Sequence, residues 1–271
     1  LGSGDSALYL NALPESLSQF EALRDEIQWN EMHHKGGTVP RLVAIQGSIG
    51  STVPVYRHPV DYQPDVTSWT PLVAAVKDAV QEKIGQSMNH CLIQLYRTGH
   101  DFIGEHADKS LDIQRSSYVV NYSVGCSRVL ILKSKPNALG PKIVQKITMP
   151  HNSIFLLGWN TNVLFKHEIK QDKRLPMDKR EDELAYDAQR ISFTFRNVST
   201  FLDTASNRLF GQGAKNKTLK VDQCIGDEGA GADATRATEI DRLMMAFSDE
   251  NRRADFDWDA AYGEGFDVIN F

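Results

Sequence analysis

The alternation of apolar and polar positions divides the chain into a helical beginning, a strand-rich middle and a mixed end. In "LPESLSQFEALRDEIQW", Leu17, Phe20 and Leu23 recur at the spacing of one helix face, and the pattern ends near Trp29. Apolar residues three or four apart lie on the same side of a helix. This segment therefore predicts a helix, and the apolar run at 42–45 predicts a short strand after it.

A second helix is marked more clearly by the segment "TPLVAAVKDAVQEKIG". Val73, Val76 and Val80 form one apolar face, and Pro71 suits the first helical position. Thr70 precedes this proline, where a hydroxyl can accept a hydrogen bond from a free backbone amide. The pattern predicts a helix that begins at Pro71 and is capped by Thr70.

Beyond this helix the apolar pattern becomes that of strands. Short runs rich in β-branched and aromatic residues are separated by Gly, Pro and Asn. The runs are "CLIQLYR", "SSYVVNYSV", "SRVLILKS", "KIVQKITM", "SIFLLGW", "NVLFKHEI" and "RISFTFRNV". Their succession predicts an antiparallel barrel or sandwich backed by the N-terminal helices, with "KREDELAYDAQ" as a charged loop.

The character changes again after Phe201. "GQGAKNKTLKVDQCIGDEGAGADAT" is rich in Gly, Ala and polar residues and predicts irregular structure. In "ATEIDRLMMAFSDENRR", Ile240, Leu243, Met244 and Phe247 again follow helical spacing. The end of the chain is therefore predicted to hold one helix.

Composition bounds the class of protein. A chain of 271 residues that is 41% hydrophobic can bury a sizeable core, and no apolar run is long enough for a membrane-spanning helix. Of its three cysteines, Cys91 and Cys126 lie in apolar runs, which predicts buried thiols and a reducing, cytoplasmic compartment. The net charge of −5 argues against a nucleic-acid binder, because such proteins usually carry a basic excess.

The stretch "GEHADKS" places His106 and Asp108 two residues apart. On a strand such residues point to the same face, so the pair could bind one metal ion or could be an ordinary polar pair. His167, in a distant strand-like run, supplies a possible third ligand. Two histidines and one carboxylate form a facial triad that suits non-haem iron(II) and leaves coordination positions free.

The run "RISFTFR" places two cations on one strand face. Arg190, Ser192 and Arg196 alternate with apolar residues, and arginine binds carboxylates through a planar fork. Tyr96, on the strand before the H-x-D turn, could help to bind the same carboxylate. The pattern indicates a dicarboxylate site beside the metal.

These motifs together resemble the AlkB family of iron(II)- and 2-oxoglutarate-dependent dioxygenases. The family pattern is H-x-D, a distant H and R-x5-R, which this chain carries at His106, Asp108, His167, Arg190 and Arg196. The segments "VPRLVAIQG", "LYR", "ITMPHNSIFLLGW" and "RISFTFR" are also similar to those of the nucleic-acid repair members. The resemblance covers roughly residues 8–201.

The resemblance implies an α+β fold, a double-stranded β-helix or jelly roll with supporting helices. It implies an oxygenase domain at 5–201 and a C-terminal extension at 202–271. It also implies that Fe(II) is held by the triad, that 2-oxoglutarate and O2 are cosubstrates, and that an enzyme of this kind oxidises a substrate C–H bond while 2-oxoglutarate becomes succinate and CO2. The cosubstrate residues would be Arg190, Arg196, Tyr96, Ser192 and Gln94, although the family often has Asn where Gln94 and Ser192 stand.

Departures from the repair enzymes bear on the substrate. Ser110 stands where they place an acid that contacts the damaged base, and Ile45 and Gln46 stand where they carry an aromatic pair. Extended, acidic AlkB-like chains resemble fungal secondary-metabolism oxygenases, one type of which forms an aziridine from L-valine in the 2-aminoisobutyrate pathway. The sequence therefore predicts an amino-acid oxygenase, and demethylation of N-alkylated DNA or RNA is the alternative.

Two further sets of residues are expected to touch such a substrate. The C-terminal tail could fold over the barrel mouth so that Ile269 and Phe271 shape a small pocket, or it could be a packed or frayed terminus. An α-carboxylate would need a cation, for which Arg41, Arg115 and Arg128 are candidates. A solvated surface position is the simpler expectation for each of these arginines.

Overall fold

The computed structural model describes residues 1–34, 36–59, 62–136, 140–219 and 232–269. Its strands are β1 (Ala7–Tyr9), β2 (His33–His34), β3 (Gly37–Thr38), β4 (Leu42–Gly47), β5 (Thr52–Pro54), β6 (Thr67–Ser68), β7 (His90–Tyr96), β8 (Ile103–His106), β9 (Val119–Gly125), β10 (Arg128–Ser134), β11 (Val144–Met149), β12 (Ser153–Leu157), β13 (Phe165–Ile169), β14 (Arg190–Arg196), β15 (Thr200–Asp203) and β16 (Arg208–Gly211). Its α-helices are α1 (Phe20–Glu26), α2 (Pro71–Ile84), α3 (Trp159–Leu164), α4 (Glu181–Leu184), α5 (Ala232–Arg252) and α6 (Trp258–Tyr262). None of these helices in the described ranges combines the length and apolar character needed to cross a membrane.

Two facing sheets form the centre of the molecule. The major sheet has the order β1-β12-β9-β14-β7-β4-β6, and the minor sheet has the order β11-β10-β13-β8. Neighbouring strands are antiparallel, apart from the parallel pair of β4 and β6. Each predicted strand run contains a strand, although the run "NVLFKHEI" begins with the last three residues of α3. The mixture of sheets and helices agrees with the expected double-stranded β-helix.

The N-terminal helices cover the outer face of the major sheet. Phe20 and Leu23 of α1 and Val76 of α2 pack in one buried cluster with Phe193 and Phe195 of β14. The sequence places these strand residues at alternate positions, so all their rings lie on the helix side. The other face of β14 is thereby directed between the two sheets.

Several local predictions were wrong at helix ends. The first helix is confined to Phe20–Glu26, because Glu15–Leu17 forms a separate 3-10 turn. Helix α2 begins at Pro71 as predicted, but Thr70 makes no side-chain cap. The carboxylate of Glu26 accepts the hydrogen bond from Leu72 N instead, at 3.0 Å. The predicted loop at 179–189 also contains α4 and a 3-10 turn, Ala185–Ala188.

The C-terminal residues form a third layer of contacts. Strand β15 pairs with both β16 and β5, so the chain after β14 returns to the N-terminal half. Helices α5 and α6 build a buried cluster in which Leu243, Phe247 and Tyr262 surround Leu111. Leu111 lies three residues after Asp108, so the extension contacts the segment that follows the H-x-D motif.

Candidate active site

The polar face of β14 forms one wall of a cavity between the two sheets. Arg190 pairs in register with Tyr96, and Ser192 pairs with Gln94. Alternation along these antiparallel strands turns all four side chains to the same face, opposite the phenylalanines. This register places the predicted cosubstrate residues next to one another.

The three predicted metal ligands lie together at one end of this cavity. His167 of β13 is the register partner of His106 at the end of β8. Asp108 lies beyond the end of β8 rather than on it, and its Oδ1 is 3.9 Å from His106 Nε2. One donor atom from each of the three side chains lies within 4.8 Å of the others, which is close enough for a shared ion.

The electrostatics of the triad also suit a cation. Burial and the neighbouring His167 lower the pKa of His106 to about 3, and burial lowers the pKa of His167. Burial alone would raise the pKa of Asp108, but the Arg196 guanidinium and the two histidines outweigh it and lower this pKa to about 2. Neutral imidazoles and an ionised carboxylate are the forms that bind a metal. The donor set therefore fits Fe(II).

The turn that carries Asp108 is fixed by side chains from elsewhere in the chain. The four consecutive amides from Ala107 to Ser110 each donate to a side-chain oxygen, at 2.8–3.1 Å. The acceptors are Asn251 for Ala107, Asn162 for Asp108, Tyr56 for Lys109 and Glu250 for Ser110. Asn162 Nδ2 also donates to the Asp108 carbonyl at 2.8 Å.

The two arginines at the opposite ends of β14 retain free donors. Arg190 is 0% exposed and donates from Nη2 to Ser123 Oγ at 2.6 Å. Arg196 donates from Nη2 to Asp108 Oδ1 at 3.1 Å. In the described part of the chain, Nε and Nη1 of both guanidinium groups have no hydrogen-bond partner. Buried donors without acceptors fit a carboxylate-bearing cosubstrate.

The cavity between these groups has a volume of about 440 Å³. Of the predicted cosubstrate residues, Gln94, Tyr96, Ser192 and Arg196 line it. Arg190 is not a lining residue, and its guanidinium carbon lies 5.3 Å from the centroid of the Tyr96 ring. A cosubstrate carboxylate would therefore meet Arg190 beside Tyr96, at the back of the cavity.

The structure separates the three candidate substrate arginines. Arg41 lines the cavity and is only 8% exposed. Arg128 is also buried, but it donates to the carbonyls of Asp101 and Lys170 and does not line the cavity. Arg115 is exposed and pairs with Asp259 at 2.6 Å. The expectation of a solvated surface position is right for Arg115 and wrong for Arg41 and Arg128.

The remaining predicted substrate residues lie elsewhere. Ser110 is buried and bonds Glu250 through its backbone amide and hydroxyl, so it is not among the cavity-lining residues. Ile269 is half-buried in the extension and is not among them either. Phe271 lies outside the described residues. A tail that covers the barrel mouth remains a prediction.

His58 and Tyr56 line the cavity and were missed by the sequence interpretation. The two rings stack with centroids 5.4 Å apart, and Arg196 lies 4.1 Å from the centroid of the Tyr56 ring. Burial and the Arg196 charge lower the pKa of His58 to about 4. Both residues follow β5, where no periodic pattern marks an inward-facing position. Asn121, which bonds Ser192 and Arg190, was detectable from the alternation along β9.

Comparison with known proteins identifies similar chains. The family model described as "2OG-Fe(II) oxygenase superfamily" matches residues 9–196. The chain is 25% identical to the mouse (Mus musculus) DNA oxidative demethylase ALKBH2 over 201 residues, covering 73% of this chain and 77% of the relative. It is 25% identical to the bovine (Bos taurus) alpha-ketoglutarate-dependent dioxygenase alkB homolog 3, covering 69% of this chain and 63% of the relative. The solved structure of OsALKBH1 aligns with a TM-score of 0.47 and 16% identity, over 71% of this chain and 98% of that one.

Proposed function

Since the chain belongs to the 2OG-Fe(II) oxygenase superfamily, we propose that this dioxygenase oxidises a C–H bond of a small carboxylate-bearing molecule, an amino acid such as L-valine. The family implies Fe(II), 2-oxoglutarate and O2 as cofactor and cosubstrates. The three triad side chains would hold the iron, and Arg190 with Tyr96 would hold a 2-oxoglutarate carboxylate. Bound iron would activate O2, which is the oxidant both of 2-oxoglutarate, giving succinate and CO2, and of the substrate C–H bond.

The position of Arg41 carries this proposal. Its Nη1 donates to the Phe102 carbonyl at 2.9 Å, while its Nε has no partner and no salt bridge involves it among the described residues. Burial lowers the pKa of this guanidinium, although the proton is still held at neutral pH. A buried cation without a salt-bridge partner is costly. The Asp101 carboxylate offsets part of that cost at longer range, and a substrate carboxylate in the cavity would offset more of it.

The surroundings of the cavity support a small substrate. A volume of about 440 Å³ is within the range of small-molecule sites. Ile45 and Gln46 occupy the positions where the repair enzymes carry base-binding aromatic residues. Both are buried here, and Gln46 hydrogen-bonds Thr70. Ser110 is also buried, and its amide donates to the Glu250 carboxylate. These side chains are engaged by the protein itself and offer no stacking platform to a base.

The first oxidised product of the proposed reaction can form in two ways. Hydroxylation adds one oxygen atom from O2 to the substrate carbon. Aziridine closure joins that carbon to the amino nitrogen, removes two hydrogen atoms and releases water. Both consume one 2-oxoglutarate and one O2, so product mass separates them while succinate yield does not.

A second candidate function is oxidative demethylation of N-alkylated DNA or RNA. The relatives named DNA oxidative demethylase ALKBH2 favour this activity over an amino-acid oxygenase, at 25% identity. The substrate for this activity would be a base turned out of its strand into the cavity. The acidic net charge and the Ser110, Ile45 and Gln46 positions weigh against it.

The two functions are separated by succinate release from the iron-loaded protein. L-amino acids and N-methylated oligonucleotides are each supplied with 2-oxoglutarate, to the wild type, Arg41→Met and the surface control Arg115→Met. We expect succinate with an amino acid such as L-valine, a loss of at least about 30-fold for Arg41→Met because an ion-paired carboxylate contact is removed, and no change for Arg115→Met. Demethylation of the oligonucleotide without amino-acid turnover would overturn the proposal.

A further inference from the structure

We propose that the C-terminal helix α5, which lies outside the residues matched by the family model, positions the iron ligands of this enzyme. Its residues Phe247, Glu250 and Asn251 hydrogen-bond the turn that carries Asp108. None of the three lines the cavity, so their action would pass through the turn. The inference rests on the family membership and not on the identity of the substrate.

Asn251 makes the contact nearest to the ligands. Its Oδ1 accepts from the amide of Ala107 at 2.8 Å. Ala107 is the single residue between His106 and Asp108, and it is 1% exposed. The orientation of its peptide plane sets the relative directions in which the two ligand side chains leave the backbone. A side chain 144 positions away therefore helps to fix the relative orientation of the His106 and Asp108 side chains.

Glu250 anchors the end of the same turn. Its Oε1 accepts from the amide of Ser110 at 2.9 Å and also from the Ser110 hydroxyl. Its Oε2 accepts from the Tyr262 hydroxyl at 2.8 Å, which ties α6 to the same carboxylate. Lys135 of the segment after β10 donates to the Glu250 carbonyl at 2.6 Å. The helix is thus joined by hydrogen bonds to both the turn and the minor sheet.

A third contact comes from the side chain of the turn. Lys109 Nζ donates to the Phe247 carbonyl at 2.9 Å, and Lys109 is 5% exposed. A purely packing role for α5 would be satisfied by the apolar cluster around Leu111. The helix also makes four hydrogen bonds to Ala107, Lys109 and Ser110, the residues that flank Asp108. These bonds indicate positioning of the ligands as well as burial of the helix.

The test compares metal binding among variants at one position. Asn251→Leu removes the acceptor with little change in volume, and Asn251→Asp keeps an acceptor oxygen. Asp249→Ala, in an exposed surface ion pair with Arg252, is the matched control on the same helix. Mn²⁺ affinity of the full-length apo protein is measured by calorimetry, with circular dichroism to establish folding. The absorption band of the anaerobic Fe(II)–2-oxoglutarate complex reports ligand geometry without any substrate.

We expect Asn251→Leu to weaken Mn²⁺ binding about 10-fold and to shift that band, as loss of an outer-shell partner typically does. Asn251→Asp should stay within about threefold of the wild type, and Asp249→Ala should not change. If Asn251→Leu fails to fold, Asn251→Ser, whose hydroxyl is too short to reach the amide, replaces it with the same expectation. A folded Leu or Ser variant with wild-type affinity and an unshifted band would overturn the proposal.

Discussion

The two ends of the site are built in opposite ways. At the metal end, each amide from Ala107 to Ser110 has an acceptor within the protein. At the cosubstrate end, Arg190 keeps buried guanidinium donors that have no acceptor in the described residues, and Arg196, which bonds Asp108 between the two ends, keeps two such donors as well. The backbone donors at the metal end are therefore satisfied within the protein, whereas the guanidinium donors at the cosubstrate end need an acceptor from a bound ligand.

This difference indicates how binding energy is distributed. A ligand set must be fixed before the metal arrives, since a loose turn would place Asp108 out of reach of the ion. Unpartnered buried donors cost stability, and that cost is recovered only when an anion binds. We therefore expect substitutions at the metal end to lower the stability of the apo protein and its affinity for the metal. Substitutions at the cosubstrate end should instead raise the KM for 2-oxoglutarate.

The largest effect is expected from removing a ligand. His167→Ala should lower succinate formation by at least about 10³-fold, because two ligands bind the metal far more weakly than three. The exposed His100→Ala is the control. Succinate formation in excess iron is the measurement, and substantial turnover by a folded His167→Ala would contradict the assignment of the triad.

At the cosubstrate end, Arg190→Met should raise the KM for 2-oxoglutarate by about 100-fold, which corresponds to a lost charge-assisted bidentate contact. The apo protein should be no less stable than the wild type, since removing a buried cation with two unpartnered donors offsets the lost hydrogen bonds to Ser123 and Asn121. Urea unfolding and steady-state kinetics give both quantities. A large loss of apo stability with an unchanged KM would remove the distinction between the two ends.

A pH effect should arise beside Arg196, whose register partner is His90. Burial and the Arg196 charge lower the pKa of His90 well below its usual value. As the pH falls below about 6.5, His90 therefore binds a proton in the unfolded state before it does so in the folded state. The free energy of unfolding decreases by about 1.4 kcal/mol per pH unit through this residue. Urea unfolding of apo His90→Gln between pH 7 and pH 5, values chosen to span about 6.5, should show a shallower loss than the wild type. Equal slopes would contradict the shift.

A smaller effect is expected from Tyr56→Phe at the metal end. The change removes the acceptor of the Lys109 amide, at 3.1 Å, and keeps the ring that faces Arg196. The apo protein should lose about 1 kcal/mol of unfolding free energy, the usual net value of one buried hydrogen bond. The KM for 2-oxoglutarate should not change. A change in the 2-oxoglutarate KM that, expressed as a free energy, exceeds the loss of unfolding free energy would place Tyr56 with the cosubstrate instead.

Local patterns predicted more of the site than of its supports. The alternation along β14 placed the arginines on one face. The triad was predicted from the spacing of His106 and Asp108 and from His167 in a distant run, although Asp108 lies beyond the end of β8. Asn251 and Glu250 could not be found this way, because a contact across 140 or more residues leaves no periodic signal. Thr70 was a wrong cap for a related reason: Glu26 of another helix competes for the same amides. The burial of Arg41 depends on tertiary packing, which composition does not reveal.

The most direct test of the proposed substrate is calorimetric titration of L-valine into the anaerobic protein loaded with Mn²⁺ and 2-oxoglutarate. The proposal predicts saturable binding to the wild type and to Arg115→Met, and binding at least about 30-fold weaker to Arg41→Met, because Arg41 supplies the counter-charge in the cavity. An N-methylated oligonucleotide should not displace the amino acid. Tight binding of that oligonucleotide, unaffected by Arg41→Met and without any binding of L-valine, would contradict the account.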